Sequence, residues 1–576
     1  MSKELEIYEA EMSILRSQVE KTQADLSKHQ SHNKALNKRI RELEIKNKKL
    51  KAQLDKYKKS KSVKIATLLS WRIPRVLKRV VKGDLIQKNK RSSATSKPPK
   101  LPKDFRVAMV ADEFTYNCFK YECIAFPLEP GGWLEVFQNN EMDFFFCEST
   151  WAGVDSLLRP WRGKVYASEN FSSENRGALL GILQYCKENG IPTVFWNKED
   201  PTHYEDRVHD FVDTALKFDH IFTTAAECVE RYKNDYGHKS VHLLMFATQP
   251  KLFNPIETYE RTDEVIFAGS WYRQHQERCD VMAGLLDSVL ESPFSLKIYN
   301  RQSENDDPNH VFPAKYEPFI NPRLPHVNLD QAYKGSKYGL NINTVVESRS
   351  MFARRVFELM SSNTLVITNC SKGIRQLFGD NVVYAEGDSF AIEDPDVKRE
   401  FCLNEVLRHH TYKNRFEQIL KVVGEPFVDS QKKVTLAYQI ADEEEVRRAL
   451  LHFRAVNWQN KHCLLLVERG VPSETLRSMV MSYNRNGVTV FALDYLEYEF
   501  QFPVPEGFAV LANEDMPADF IKRAMPHWQY LDADTGIVEG EQKYTFAEPE
   551  GNMPSMLMTA ENFALDNPRI QKLYFI

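Results

Sequence analysis

At 576 residues, with 42% hydrophobic and 12% aromatic side chains, the chain has enough apolar surface for several packed domains, which excludes a single small module. Its formal net charge of −4 conceals an acidic body that, lacking any recognition motif, argues against nucleic acid as a partner. Nine scattered cysteines without a Cys-x-x-Cys pair exclude a zinc ribbon and a disulfide scaffold and favour a reducing compartment, while the polar N-terminus has no secretory pattern and no run is apolar enough to span a bilayer.

Residues 1–58 repeat in sevens. Leu5, Met12, Val19, Leu26, Asn33, Ile40, Asn47 and Leu54 take the a positions. Tyr8, Leu15, Thr22, His29, Leu36, Leu43, Leu50 and Tyr57 take the d positions, with no Pro or Gly between them. This predicts a coiled coil. The amides of Asn33 and Asn47 can satisfy each other across a two-stranded seam, which predicts a homo-oligomer through residues 1–57 and favours a parallel dimer.

Residues 59–103 read as a basic amphipathic segment and linker. From Lys58 to Lys103 fifteen basic residues face Asp84 alone, giving +14 and leaving −18 on the rest of the chain. Ile65 to Val81 interleaves Leu68, Leu69, Trp71, Val76 and Leu77 with cations, interrupted by Pro74. Such a segment suits peripheral contact with an anionic membrane face, or serves as a basic hinge.

Residues 104–255 alternate apolar runs with helical patterns. Strands are expected at Arg106–Val110, Phe144–Cys147, Thr193–Trp196, His220–Thr223 and Ser240–Leu244, and helices at Arg176–Asn189 and Glu205–Lys217. Repeated βα units predict a Rossmann-like domain with a parallel sheet. Its ligand loops lie at the carboxyl ends of the strands, at Asp112–Thr115, Glu148–Gly153 and Asn197–His203. In the last loop Glu199, Asp200 and His203 are polar site candidates, and Asp200-Pro201 also reads as a turn start or helix cap. No G-x-G-x-x-G or Walker pattern follows a strand, which argues against a nicotinamide or P-loop enzyme.

Residues 256–432 repeat the theme. The strand Glu264–Gly269 ends in Gly-Ser and runs into a helix carrying Arg278. A glycine, a helix N-terminus and nearby arginines, Arg273 included, suit phosphate. Farther on, Leu329–Asn343 reads as a short helix and a strand. Phe352–Phe378 reads as helix, turn, the buried strand Leu365–Thr368, loop and a second helix. Glu358 lies beside the apolar face of Val356, Leu359 and Met360, so its carboxylate sits at the ligand edge of the sheet.

The window Arg355-Val356-Phe357-Glu358, Ser361–Asn363 and Leu365–Asn369 resembles the donor-binding half of GT-B glycosyltransferases. It is most similar to the CgeB/YkvP-like branch of the group 1 type. Glu199-Asp200-Pro201, the crossover Phe246–Pro255 and the segment Ala332–Asn343 resemble that branch in the same order. The resemblance implies a GT-B α/β fold of two Rossmann-like domains, 104–255 for the acceptor and 256–432 for the donor. It implies a nucleotide-sugar co-substrate, UDP-sugar first, with retention at the anomeric carbon and no metal or other cofactor in the main site. It carries donor binding to Gly269, Ser270, Arg273, Arg278, Asn343, Arg354, Glu358, Thr368, Asn369 and Gly373, with Glu358 on the ribose. Arg355 joins Asp200 and His203 as a catalytic candidate. One departure stands out, because many group 1 enzymes have a further glutamate where this chain has Ser350.

Residues 433–576 add a smaller α/β domain with strands at Val434–Tyr438, Cys463–Val467 and Val488–Phe491. This segment is similar to the nucleotide-binding half of GT-A enzymes, and Asn513–Asp519 resembles their acidic metal turn. Mg²⁺ or Mn²⁺ is expected only if this module is active, and a degenerate, noncatalytic module is the preferred reading. The whole reads as a cytoplasmic glycosyltransferase, peripheral at the inner face of the cell membrane if the basic segment binds there. Its acceptor would be a cell-surface glycan, a teichoic-acid-like polymer, a lipid-linked carrier or a protein. The alternative is a coiled-coil scaffold whose domains bind glycan or nucleotide without turnover. The heptads carry the first prediction: the full chain is expected to run as an oligomer in light scattering, and Leu36→Pro should reduce it to a monomer.

Overall fold

The computed structural model describes residues 98–576, apart from 305–306, 386–390, 429–432, 499–506, 550–554 and 564–569. The expected coiled coil and nearly all of the basic segment lie outside the described residues. Among the described residues no helix is long and apolar enough to cross a membrane.

The first sheet contains β1 (Arg106–Val110), β2 (Ile124–Pro127), β3 (Phe144–Glu148), β4 (Thr193–Asn197), β5 (His220–Thr223) and β6 (Val241–Leu243). All pairings are parallel, in the order β2-β1-β3-β4-β5-β6. The strand order reverses between β1 and β3, which makes that edge the ligand-binding crevice of an open α/β sheet. The central strands β1, β3 and β4 are mostly apolar and buried almost throughout, as expected when helices cover both faces. Helix Gly177–Asn189 ends at Gly190 with φ 65°, a left-handed cap that glycine adopts freely.

The helix expected over Glu205–Lys217 is only Phe211–Ala215. Oδ1 of Asp206 accepts from the backbone N–H of Val208 and His209 and holds 206–209 as a turn. Such local side-chain bonds compete with helix. The helix therefore starts later, where Asp210 caps it by accepting from the Asp213 N–H.

The second sheet contains β7 (Thr262–Gly269), β8 (Ser295–Asn300), β9 (Ile320–Asn321), β10 (Ser336–Asn341), β11 (Leu365–Thr368) and β12 (Val383–Tyr384). It is also parallel, in the order β12-β11-β10-β7-β8-β9. Its switch point lies between β7 and β10. Helix Arg355–Ser361 precedes β11 and is buried from Val356 through Ser361.

Helix Pro395–His409 joins two cores, with Cys402 and Val406 against the second domain and Leu403 and Leu407 against the third. Helix Tyr412–Val423 then returns to the first domain. Thr411 and Asn414 form a capping box at its start, a device worth about 1 kcal/mol. Its Tyr412, Phe416, Ile419 and Leu420 join the core of Phe105, Phe144, Phe146 and Trp196.

The third sheet has eight strands: β13 (Val434–Ile440), β14 (Lys461–Val467), β15 (Val488–Ala492), β16 (Phe508–Leu511), β17 (Thr535–Val538), β18 (Phe546–Ala547), β19 (Leu557–Thr559) and β20 (Lys572–Phe575). Their order is β15-β14-β13-β16-β19-β17-β20-β18. The first four are parallel, and antiparallel pairing begins at β19.

The return helix depends on one aromatic anchor. Phe416→Ala is expected to cost about 3–5 kcal/mol, seen as faster hydrogen exchange across 412–423 with exchange in β13 unchanged.

Candidate functional site

The candidate site of the second domain grows from the end of β7. A Cβ on Gly269 would lie 2.4 Å from the Phe267 ring and 3.1 Å from a guanidinium nitrogen of Arg355, so only glycine fits there. Three arginines converge on this turn. Arg278, from helix Gln276–Leu290, donates to the Ser270 carbonyl at 3.2 Å. Arg301 follows β8, donates its backbone N–H to the Gly269 carbonyl at 2.9 Å and reaches the Tyr272 hydroxyl at 2.6 Å. Arg355 opens helix Arg355–Ser361 and lies 4.9 Å from the Phe267 ring.

Among the described residues no carboxylate forms an ion pair with any of these three. Burial holds Arg278 below the usual arginine range, and Arg355 and Arg301 add their repulsion. Burial likewise depresses Arg355, with Arg301 pushing the same way. Tyr272 is raised by burial, but the Arg301 charge wins and its hydroxyl ends below the ordinary value. The half-buried Arg278 and Arg355 and the exposed Arg301 gather positive charge beside Gly269, an arrangement that suits an anion. Arg273 is exposed beside it. Sequence reasoning missed Arg301, although its position directly after a strand in a parallel sheet was the available signal.

Glu358 is 2% exposed. It pairs with Arg354 at 2.6 Å, lies 3.6 Å from His326 Nε2 and accepts from the Tyr333 hydroxyl at 3.4 Å. Burial raises its carboxyl, yet Arg354 and His326 outweigh that and bring it down to about 2. Glu358 therefore holds Arg354 in place from a buried position. Arg354 in turn stacks 3.9 Å from the Phe114 ring of the first domain. Phe114 also meets the Lys198 ammonium at 4.3 Å. Ser350 also joins the two domains, donating to the Thr224 carbonyl and accepting from the Ala226 N–H, both at 2.8 Å.

Asn343, Thr368 and Asn369 form a closed network with Asn341. Thr368 Oγ1 accepts from both Asn341 and Asn343 at 3.0 Å, and Asn369 Oδ1 accepts from the Asn343 N–H at 2.8 Å. These residues fix the loops after β10 and β11. Gly373 allows close packing, since a Cβ there would meet Phe352 at 2.9 Å and the Arg349 backbone at 3.1 Å.

On the first domain, Lys198 binds Asp112 at 2.7 Å and Glu148 at 3.3 Å. Asp112 also accepts from the N–H groups of Ala152 and Gly153. Burial pushes the Glu148 carboxyl up to about 7, with Lys198 opposing. Asp200 is fully buried and accepts from Asn197 at 2.8 Å and Thr223 at 2.7 Å, and burial lifts its carboxyl to about 7. It organises the loop after β4 through these two bonds. His203 is half-buried against Asp206 and His209. Among the described residues, these three alone have the mutual spacing of metal ligands.

The third domain has a cavity of about 360 Å³ at the carboxyl ends of β13, β14 and β16, lined by Gln439, Glu445, Arg448, Glu468 and Asn513. In the expected acidic turn, Glu514 pairs with Arg448 at 2.6 Å and Asp519 with Arg523 at 3.1 Å.

Residues 301–421, from Arg301 through the return helix, match a family described as glycosyl transferase-like. Among solved structures, an alpha-glucosyltransferase in complex with UDP and a 13-mer DNA containing a central A:G mismatch aligns with a TM-score of 0.37 and 11% identity, covering 56% of this chain and 99% of that one. A glycosyltransferase from Rickettsia africae aligns at 0.34 and 11%, covering 57% and 100%. TarM aligns at 0.28 and 12%, covering 49% and 54%. Among curated proteins none matches the chain.

The Glu358–Arg354 pair has a defined pH signature. Its folded-state carboxyl lies below the ordinary 4.5, so its stabilisation is complete above that pH and is lost as pH falls toward 2. In acid titrations followed by tryptophan fluorescence, the stability gap between wild type and Glu358→Gln is expected to close over that window. Arg354→Met, which strands a buried carboxylate, is expected to cost about 3–5 kcal/mol.

Proposed function

We propose that the chain is a GT-B-type glycosyltransferase. It moves a sugar from a nucleotide-sugar donor, UDP-sugar first, to a cell-surface glycan, a teichoic-acid-like polymer or a lipid-linked acceptor. The observation that carries this reading is the trio Arg278, Arg301 and Arg355 around Gly269 and Ser270, three guanidiniums with no ion-pair partner beside a glycosyltransferase-like segment. A diphosphate leaving group develops negative charge as the glycosidic bond breaks, and preorganised guanidiniums stabilise that charge without reorganising. Arg355 is then the group nearest the chemistry. Glu358 acts as a positioning residue that keeps Arg354 against Phe114, so that the two domains meet in one register. The sugar would lie over the loop after β11, near Asn369 and Gly373. In this reading the reaction retains anomeric configuration and needs no metal on the donor side, the coil sets the oligomer, and the basic segment brings a cytoplasmic enzyme to its acceptor at the membrane face.

A scaffold that binds nucleotide or glycan without turnover is the second reading. It is favoured by Ser350, which stands where a sugar-contacting glutamate is expected and is engaged in joining the domains.

The test is a panel of UDP- and GDP-sugars, scored by nucleotide release and by calorimetric binding of the free nucleotide. One donor is expected to be turned over. A charge-assisted contact is worth about 1.5–3 kcal/mol, so Arg278→Ala and Arg355→Ala should each weaken nucleotide binding about 10- to 100-fold. Binding without release, with every acceptor class supplied, would favour the scaffold. Binding unaffected by either substitution would remove the arginine site from the account.

A further inference from the structure

His203, Asp206 and His209 lie on the loop between β4 and helix Phe211–Ala215, three residues apart in sequence. Nδ1 of His203 is 2.7 Å and Nδ1 of His209 is 2.9 Å from the same carboxylate oxygen, Oδ2 of Asp206. The other oxygen, Oδ1, is pinned by the N–H groups of Val208 and His209 at 2.8 and 3.1 Å. The carboxylate is thus oriented by the backbone before anything binds, as the outer shell of a metal ligand requires. Aromatic rings wall the group. Trp151 lies 5.5 Å from His203 and 5.1 Å from His209, and Tyr166 lies 5.1 Å from His209. Each of the three side chains is about a quarter to a third exposed, so an ion can enter while bulk water is limited.

We propose that His203, Asp206 and His209 bind a divalent transition-metal ion of the Zn²⁺ class, with a further coordination position left for an exchangeable oxygen ligand. Two imidazoles and one carboxylate form a donor set that suits zinc and its first-row neighbours, whereas Mg²⁺ and Ca²⁺ prefer all-oxygen sites. Bonds of about 2.0–2.2 Å in a tetrahedral arrangement separate neighbouring ligand atoms by roughly 3.3 Å. The present 2.7 and 2.9 Å separations need only a small opening of the two imidazoles about the fixed carboxylate. The charges also agree. Asp206 contributes one negative charge, and the adjacent cation Arg207 is paired with Asp210 at 2.8 Å. The site is separate from the arginine trio and does not depend on the function proposed for it.

The experiment uses the full chain, stripped with a chelator and titrated with Zn²⁺ by calorimetry and with Co²⁺ by visible absorption. The comparison variants are Asp206→Asn, which can keep the backbone contacts of Oδ1, and His209→Asn. Wild type is expected to take up one more equivalent of Zn²⁺ than either variant, or to bind it at least 100-fold more tightly. It should also give the intense d–d absorption of a four-coordinate Co²⁺ ion, absent from both variants. Metal-free circular dichroism serves as the folding control for the variants. If wild type binds no ion, or if folded variants match its stoichiometry and affinity, the proposal fails, and the three residues form only a hydrogen-bonded cluster.

Discussion

One line of alternating charge runs through the join of the first two domains. It passes from Asp112 and Glu148 to Lys198, across the Phe114 ring to Arg354, and on to Glu358. Neither cation would be stable in that setting alone, because desolvating an ammonium or a guanidinium without compensation is costly. Each is neutralised by carboxylates of its own domain, and Phe114 lies within cation–π distance of both. A cation over a ring is worth about 0.5–2 kcal/mol, enough to set a register but not to weld the domains together. The segments after β1, β4 and β10 meet along this line.

The second domain was largely legible. The β-branched run of β11 and the apolar face of Val356, Leu359 and Met360 dictate a strand and a helix packed together, and the structure has both. The match of residues 301–421 to a glycosyl transferase-like family agrees with the resemblance in kind and leaves the CgeB-like branch as a proposal. What sequence could not show was where side chains point. Glu358 lies on the expected helix, but its carboxylate turns to Arg354 inside the protein. Arg301 went unnoticed because its one signal, a place directly after a strand, is shared by many residues of a parallel sheet. Only the neighbouring ends of β7 and β8 bring it to Gly269.

Elsewhere the misses follow from short-range chemistry. The pattern across Glu205–Lys217 is helical, yet the Asp206 side chain captures two backbone N–H groups and ends the helix before it can start. Strand β2 lies at a sheet edge, is partly exposed and ends at Pro127, so it has no buried run to announce it. In the third domain β17 to β20 are only two to four residues long and pair in mixed directions. Their alternation is too brief to register as a period.

The chain passes between the first two domains twice, and the passages are bound side by side. The Thr248 N–H donates to the His410 carbonyl and the Tyr412 N–H to the Thr248 carbonyl, both at 2.9 Å. Arg415 adds bonds to the carbonyls of Met245 and Phe246. Two tethers fastened together act mechanically as a strap hinge. They permit bending about the line that joins them and resist twist and sideways slip. Any opening of the cleft is thereby confined to a single angular coordinate, and the arginine trio and the rim of the first sheet come together along the same arc each time.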